Sequence, residues 1–297
     1  MSKKQKGIIC IILAAFSFAL MNLFIRLAGD LPTYEKAFFR NVVAMLVSGT
    51  ALFLSADKFK IGKGNFKFIM ARAVGGTIGL LANFYAIDHL AISDASMLNK
   101  LSPFFSMVFS IWILKEKPKA KEWLILGIAF IGAIFVVKPS FSNVDLVPSL
   151  IGLLGGMSAG MAYTFVRKLG SRGERGQVIV FCFSTFSTII TIPFMLMDFV
   201  PMTGYQFLML VLVGLSATAG QYSITAAYQF AAAKDISVFD YTQVLFAAIL
   251  GFIFLDQMAD HLSYIGYVII IGMAVLKWWD AAKHHEFDSK EVKSGTA

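Results

Sequence analysis

Residues 84–137 read FYAIDHLAISDASMLNKLSPFFSMVFSIWILKEKPKAKEWLILGIAFIGAIFVV, two apolar runs at 95–114 and 122–137 joined by a segment that carries Lys115, Lys117, Lys119 and Lys121. Each run is too long for a buried strand and suits a helix that crosses a hydrocarbon core, which takes about 20 residues. The basic segment between them reads as a short loop held on one side of a bilayer. Two residues of the first run stand out. Lys100 places a charge inside it, and Pro103 removes a backbone donor.

The same pattern extends along the chain. The 297 residues are 58% hydrophobic and only 15% charged, with a mean hydropathy of +0.73, which excludes an ordinary soluble domain. The runs do not alternate as porin strands do, so a β-barrel is excluded as well. Ten crossing segments are expected, at 7–25, 38–54, 68–87, 95–114, 122–137, 148–166, 177–197, 205–230, 236–255 and 261–279. The fold class is therefore an all-α integral membrane protein. Its connections are too short to hold a soluble catalytic domain, so the function belongs between the helices. Lys3, Lys4 and Lys6 before an apolar run resemble a secretory signal, but the run is long and no small-residue cleavage site follows, so it is read as the first helix.

The net charge of +8 lies in loop patches rather than on one arm or helix, which speaks for membrane topology and against nucleic acid. Twenty Lys and Arg fall on one side of the ten crossings and three (Arg26, Lys36 and Lys138) on the other. The positive-inside rule then predicts a multi-pass protein of the cell membrane with both termini cytoplasmic. Cys10 and Cys182 form neither a disulfide framework nor a zinc pattern. His284, His285, Glu286 and Asp288 in the tail read as a solvated end rather than a metal tract. No cofactor and no metal are expected.

Sliding the chain along itself by about 140 residues superposes Ser17, Phe24 and Arg26 on Ser158, Phe165 and Arg167, and Ala91, Glu116 and Gly132 on Ala231, Asp256 and Gly272. Five crossings per copy is an odd number, so the second copy enters the membrane from the opposite side. The reading is two inverted five-helix repeats: residues 1–140, a connection at 141–147, residues 148–280 and a cytoplasmic tail at 281–297. Inverted halves can exchange conformations, which is the physical basis of alternating access.

The stretch at 84–137 also resembles the C-terminal part of an EamA repeat of the drug/metabolite transporter superfamily. There an Ala-rich turn leads to a Pro-bearing helix, an acidic residue and a Gly-bearing helix, matched by Pro103, Glu116, Gly127 and Gly132. In the second copy Asp256, Gly266 and Gly272 match, and Gln243 stands where Pro would be. The resemblance covers about 7–280. It implies a ten-helix permease of small metabolites, in a family whose members move amino acids, nucleotide-linked compounds, sugars, carboxylates and drugs.

Charge at the centre of a membrane helix costs about 2.5–3.5 kcal/mol or more, so each instance needs a reason. Arg40, Arg72, Lys100 and Asp240 are such charges. Arg40 is expected to snorkel to the headgroups. Arg72 is expected to snorkel, to pair with Asp240 or to touch a ligand. Lys100 and Asp240 are repeat equivalents, and their depths put them about 12–16 Å apart along the normal. They are therefore expected to flank a central cavity from opposite sides rather than to form a salt bridge. Asn99 shares the polar stripe of Lys100, and helix 8 presents Gln221 and Tyr222. Asn22, Asn83 and Tyr163 lie near the midplane. These eight residues, Asn22, Asn83, Asn99, Lys100, Tyr163, Gln221, Tyr222 and Asp240, are the candidate substrate contacts. Asp240, Arg72, Glu116 and Asp256 are candidates for coupling or gating, the last two by their place beside loops. Gly75 and Gly79, like Gly152, Gly156 and Gly160, follow a small-residue spacing that suits close helix packing.

The function so implied is a secondary transporter or exchanger of a small organic metabolite, anionic or zwitterionic because the interior charge is net positive. The alternatives are an exporter of cationic or amphipathic drugs and, from another class, a polytopic membrane enzyme, although no HExxH, CxxC or phosphate-loop motif is present. The expected partners are that metabolite and the lipid bilayer, with a homodimer as one arrangement open to it.

Overall fold

The computed structural model describes residues 1–294 except 91, 139–145, 198, 257 and 259; the side chains of Asp88, of 92–94 and of the tail from 281 on, including His284, His285, Glu286 and Asp288, lie outside the described residues. All the described elements are helical: α1 (Lys3–Leu27), α2 (Thr33–Phe53), α3 (Phe66–His89), α4 (Ile92–Asn99), α5 (Ser102–Leu114), α6 (Ala120–Val137), α7 (Leu146–Ser171), α8 (Gly176–Met197), α9 (Gly204–Phe230), α10 (Ala233–Ile236), a 3₁₀ turn (Ser237–Tyr241), α11 (Thr242–Leu255) and α12 (His261–Ser294). α4 with α5, and α10 with α11, each make one interrupted crossing, which gives ten candidate spans among the described residues.

Several helices begin or end outside the apolar runs because polar caps extend them. Ser2 and Gln5 form a reciprocal capping box that starts α1 at Lys3. Thr203 and Gln206 do the same for α9. Lys115 and Asp256 adopt left-handed backbone (φ 57° and 51°) and terminate α5 and α11 through matching bonds, to the carbonyls of Ser110 and Gly251. By backbone geometry the partner of Asp256 is therefore Lys115, and the sequence pairing of Glu116 with Asp256 is one residue out. The slip arises within the helices, since Ser102 and Thr242 start them 140 residues apart and α11 has 14 residues where α5 has 13.

The two halves interlock. α1 packs on α9 and α11, and their counterparts α7 and α3, and α7 and α5, pack likewise; α2 lies against α8, and α6 against α12. Each major contact thus joins one repeat to the other and recurs after exchange of the halves, as inverted repeats require. Glycine makes the closest of these contacts. A Cβ on Gly79 would stand 3.1 Å from the Ala159 backbone nitrogen, and one on Gly160 would stand 2.7 Å from the Ser102 carbonyl and the Ser106 nitrogen. These rows are packing seams in which backbone meets backbone.

Candidate functional site

The interruption of the fourth crossing follows from its sequence. Pro103 has no N–H to donate, and the Phe104 N–H turns to Leu101 O at 3.0 Å, which leaves the Lys100 carbonyl without its helical donor. The hydroxyl of Tyr241 donates to that carbonyl at 3.1 Å. Tyr241 itself ends the 3₁₀ turn of the ninth crossing, so the two interrupted helices are joined at their breaks. The ninth crossing is interrupted here although Gln243 replaces the proline.

At these breaks Lys100 and Asp240 meet. Lys100 Nζ lies 3.2 Å from Asp240 Oδ2 and donates to Gln243 Oε1 at 2.7 Å, with the two charged side chains 15% and 13% exposed. The expectation that depth keeps them apart is therefore corrected. Backbone depth alone omits the reach of the four-carbon lysine stem and the convergence of both breaks on one point. Gln243, which shares the polar stripe of Asp240 although it was not among the candidate contacts, completes the lysine's environment.

Around the pair stand aromatic and cationic groups. Tyr163 of α7 stacks on Tyr228 of α9 with centroids 5.1 Å apart. Asp240, Arg72 and Arg40 all lie within electrostatic reach of Tyr163. The Tyr228 hydroxyl donates to Ser106 Oγ at 3.3 Å. Arg72 is 2% exposed; it donates to Gln221 Oε1 at 3.1 Å, lies 4.1 Å above the Phe183 ring, and its Nε has no partner among the described residues. The expected Arg72–Asp240 pair is thus replaced by a pairing with Gln221 and Phe183. Arg40 is half-buried and donates to Asn41 Oδ1 at 3.2 Å. It lies within electrostatic reach of Arg72 and Tyr163, two turns into α2.

Other candidates stand apart from this cluster. Asn83 and Asn99 are half-buried where their backbones meet Gly155 and Gly156 of α7, and neither side chain makes a hydrogen bond among the described residues. Asn22 is exposed on α1. Tyr222 is half-buried, with its hydroxyl beside Ser48 of α2. Asp256 is exposed at the end of α11. Glu116 pairs with Arg167 at 3.5 Å, on the side of the bundle where both termini lie.

That side carries further ties that the sequence did not single out. Glu174 Oε2 accepts from the Gly62 N–H (3.0 Å) and Asn65 Nδ2 (2.8 Å), and Arg172 Nε donates to Asn65 Oδ1 at 2.6 Å. Arg175 donates to the carbonyls of Lys58 and Lys60. Lys4 pairs with Asp235 and Lys121 with Asp280. On the opposite side Lys138 pairs with Asp260 and, by donating to it, holds that carboxyl down at about 2. Glu174 was missed because it is a loop residue by hydropathy, and only its contact with a loop 109 to 112 positions away in the other half gives it significance.

The chain matches the model of the EamA-like transporter family over residues 5–138 and 147–278. It is 32% identical over 270 residues to a protein of Pseudomonas aeruginosa named "Pseudopaline exporter CntI", a match that covers 90% of this chain and 94% of the relative. It is 27% identical over 295 residues to the Homo sapiens protein "Solute carrier family 35 member G1", covering 93% of this chain and 81% of the relative. A crystal structure of a protein with 13% sequence identity superposes with a TM-score of 0.83 over 94% of this chain and 98% of the other, a likeness of fold alone.

Proposed function

The chain belongs to the EamA-like transporter family, and from that membership we propose that it is a secondary transporter of a small carboxylate-bearing solute, anionic or zwitterionic, working by alternating access in the cell membrane. The observation that carries the reading is the Lys100–Asp240 pair at the breaks of both interrupted helices, with Arg72 and Arg40 beside Tyr163. Lys and Asp cancel each other, and the two arginines leave the region net positive. A carboxylate is therefore a better guest than a cation.

A zwitterion can exchange partners with the pair: its carboxylate takes Lys100 and its ammonium takes Asp240, so no buried charge is left alone. A solute without an amine frees Asp240 to take a proton, which would couple transport to the proton gradient. Tyr163 and Tyr228 offer an aromatic wall. The Pseudomonas relative's name supports movement outward. The excess of basic residues on the side of the termini supports a cytoplasmic placement of that side. The names of both relatives support a transporter rather than an enzyme.

The test is counterflow by the purified protein in proteoliposomes, with a zwitterionic amino acid, a dicarboxylate and an organic cation as solutes. Exchange of a carboxylate-bearing solute that Lys100→Met abolishes is the expected result. Exchange of the organic cation alone would favour a drug exporter, and release of a chemically altered product would favour an enzyme.

A further inference from the structure

Two buried glutamates lie at the two mouths of the bundle, one in each repeat. Glu35, in the first turn of α2, is fully buried (0% exposed) on the side opposite the termini; Glu174, just before α8, is 6% exposed on the side of the termini. Each reaches into the other repeat, to the loop before the third helix of that half. Glu174 accepts from the Gly62 N–H and Glu35 accepts from the Val200 N–H. The acceptors are 139 residues apart and the donors 138; Glu35 stands inside the first turn of α2 and Glu174 two residues before α8, and each carboxylate takes a backbone N–H of the corresponding loop on its own face.

The two contacts are not in the same condition. Glu174 accepts from Gly62 N–H at 3.0 Å, Asn65 Nδ2 at 2.8 Å and, through Oε1, from Arg175 N–H at 3.2 Å. Glu35 has a single bond of 3.4 Å, and its Oε1 is buried without a partner among the described residues. A buried carboxylate oxygen left unpaired is costly. Beside it opens a cleft of about 570 Å³ whose lining includes Leu31, Tyr34, Met197 and Val200. The missing donor has an evident source. Asn65 and Thr203 hold the N-cap positions of α3 and α9, again 138 residues apart; the Asn65 side chain is free of its own helix and reaches Glu174, whereas the Thr203 hydroxyl is engaged with Gln206 instead of Glu35.

We propose that Glu35 and Glu174 are reciprocal gate latches, and that the structure holds the latch on the side of the termini closed and the opposite one half-made. In the exchanged conformation Glu35 gains the Thr203 hydroxyl and a shortened bond to Val200, the cleft closes, and Glu174 loses Gly62 and Asn65. Both act as positioning residues. The inference rests on the alternating-access reading, because only inverted halves that exchange states make one contact form as the other breaks.

The experiment uses the full chain in proteoliposomes, with spin-label pairs at Asp30 and Met202 for one mouth and at Lys63 and Ser171 for the other. Glu174→Ala should lengthen the Lys63–Ser171 distance and shorten the Asp30–Met202 distance, and Glu35→Ala should hold the Asp30–Met202 pair apart. Should either alanine variant fail to fold, Thr203→Asn keeps a residue that caps helices well and copies the Asn65 donor to the equivalent place. It should raise the population closed at the Asp30–Met202 mouth by about fivefold, what one net hydrogen bond supplies. Distances unchanged in Thr203→Asn, or shifted in the same sense by both alanine variants, would overturn the latches. These distances are read without solute, so a wild-type protein that moves no carboxylate would refute the transport reading separately.

Discussion

Lys100 Nζ and Asp240 Oδ2 are 3.2 Å apart, and the two residues occupy equivalent positions of two inverted halves. Equivalent residues can touch only beside the axis that relates the halves, which for inverted repeats lies in the membrane plane. The ion pair therefore lies beside that axis. A group on that axis keeps its place when the halves exchange conformations, which is the property a binding site shared by both states requires.

Because the pair is preformed and mostly buried, neutralising one member strands the other. Lys100→Met or Asp240→Asn alone should lower thermal stability, by as much as about 3 kcal/mol, and the double variant should recover a large part of that loss. Thermal unfolding of the four proteins in detergent measures the coupling. Additive losses would mean that the pair contributes nothing as a pair.

For a carboxylate without an amine, if Asp240 carries a proton during transport, Asp240→Asn should abolish uptake driven by a pH gradient while sparing exchange of that solute. Accumulation and counterflow measured on the same proteoliposomes separate the two. Gradient-driven uptake that persists in Asp240→Asn would remove the coupling role.

Arg72 holds Gln221 with one nitrogen while its planar face covers Phe183. Lysine keeps the charge but has neither the fork nor the stacking plane. Arg72→Lys should thus reduce transport by about tenfold or more despite conserving charge, about 1.4 kcal/mol of lost interaction. Initial rates of counterflow read this directly, and wild-type rates in Arg72→Lys would reduce Arg72 to a positive charge of no particular shape.

The glycine seams should tolerate substitution very unevenly. A Cβ on Gly156 would run into the Leu98 carbonyl at the end of α4, whereas Cβ atoms on Gly127 and Gly272 meet nothing within 4 Å. Gly156→Ala should lower the yield of folded protein sharply, since rigid backbone has to move. Gly127→Ala and Gly272→Ala should be neutral or slightly stabilising. Size-exclusion profiles of the three variants give the comparison.

The membrane orientation is open to chemical labelling. With both native cysteines replaced, Met258→Cys should react with an impermeant thiol reagent in intact cells, and Lys63→Cys and Ser171→Cys should be protected. The reverse pattern would invert the topology inferred from the basic residues.

The crossings, their number and the inverted repeat were legible in the sequence, because burial in lipid imposes an apolar run of fixed length and an odd number of runs imposes inversion. The charges inside those runs were legible too, since each violates the solvent it sits in. What Lys100 and Arg72 bind was not. Partner choice depended on where a proline-broken helix releases a carbonyl, how far a flexible lysine reaches, and which helices of the opposite repeat stand next to Gln221 and Asp240. Glu35 and Glu174 lay further out of reach, because each acts on a backbone N–H, and every residue except proline has one. Local hydropathy thus determined the spans, and the contacts between two interlocked halves decided which of their polar residues meet.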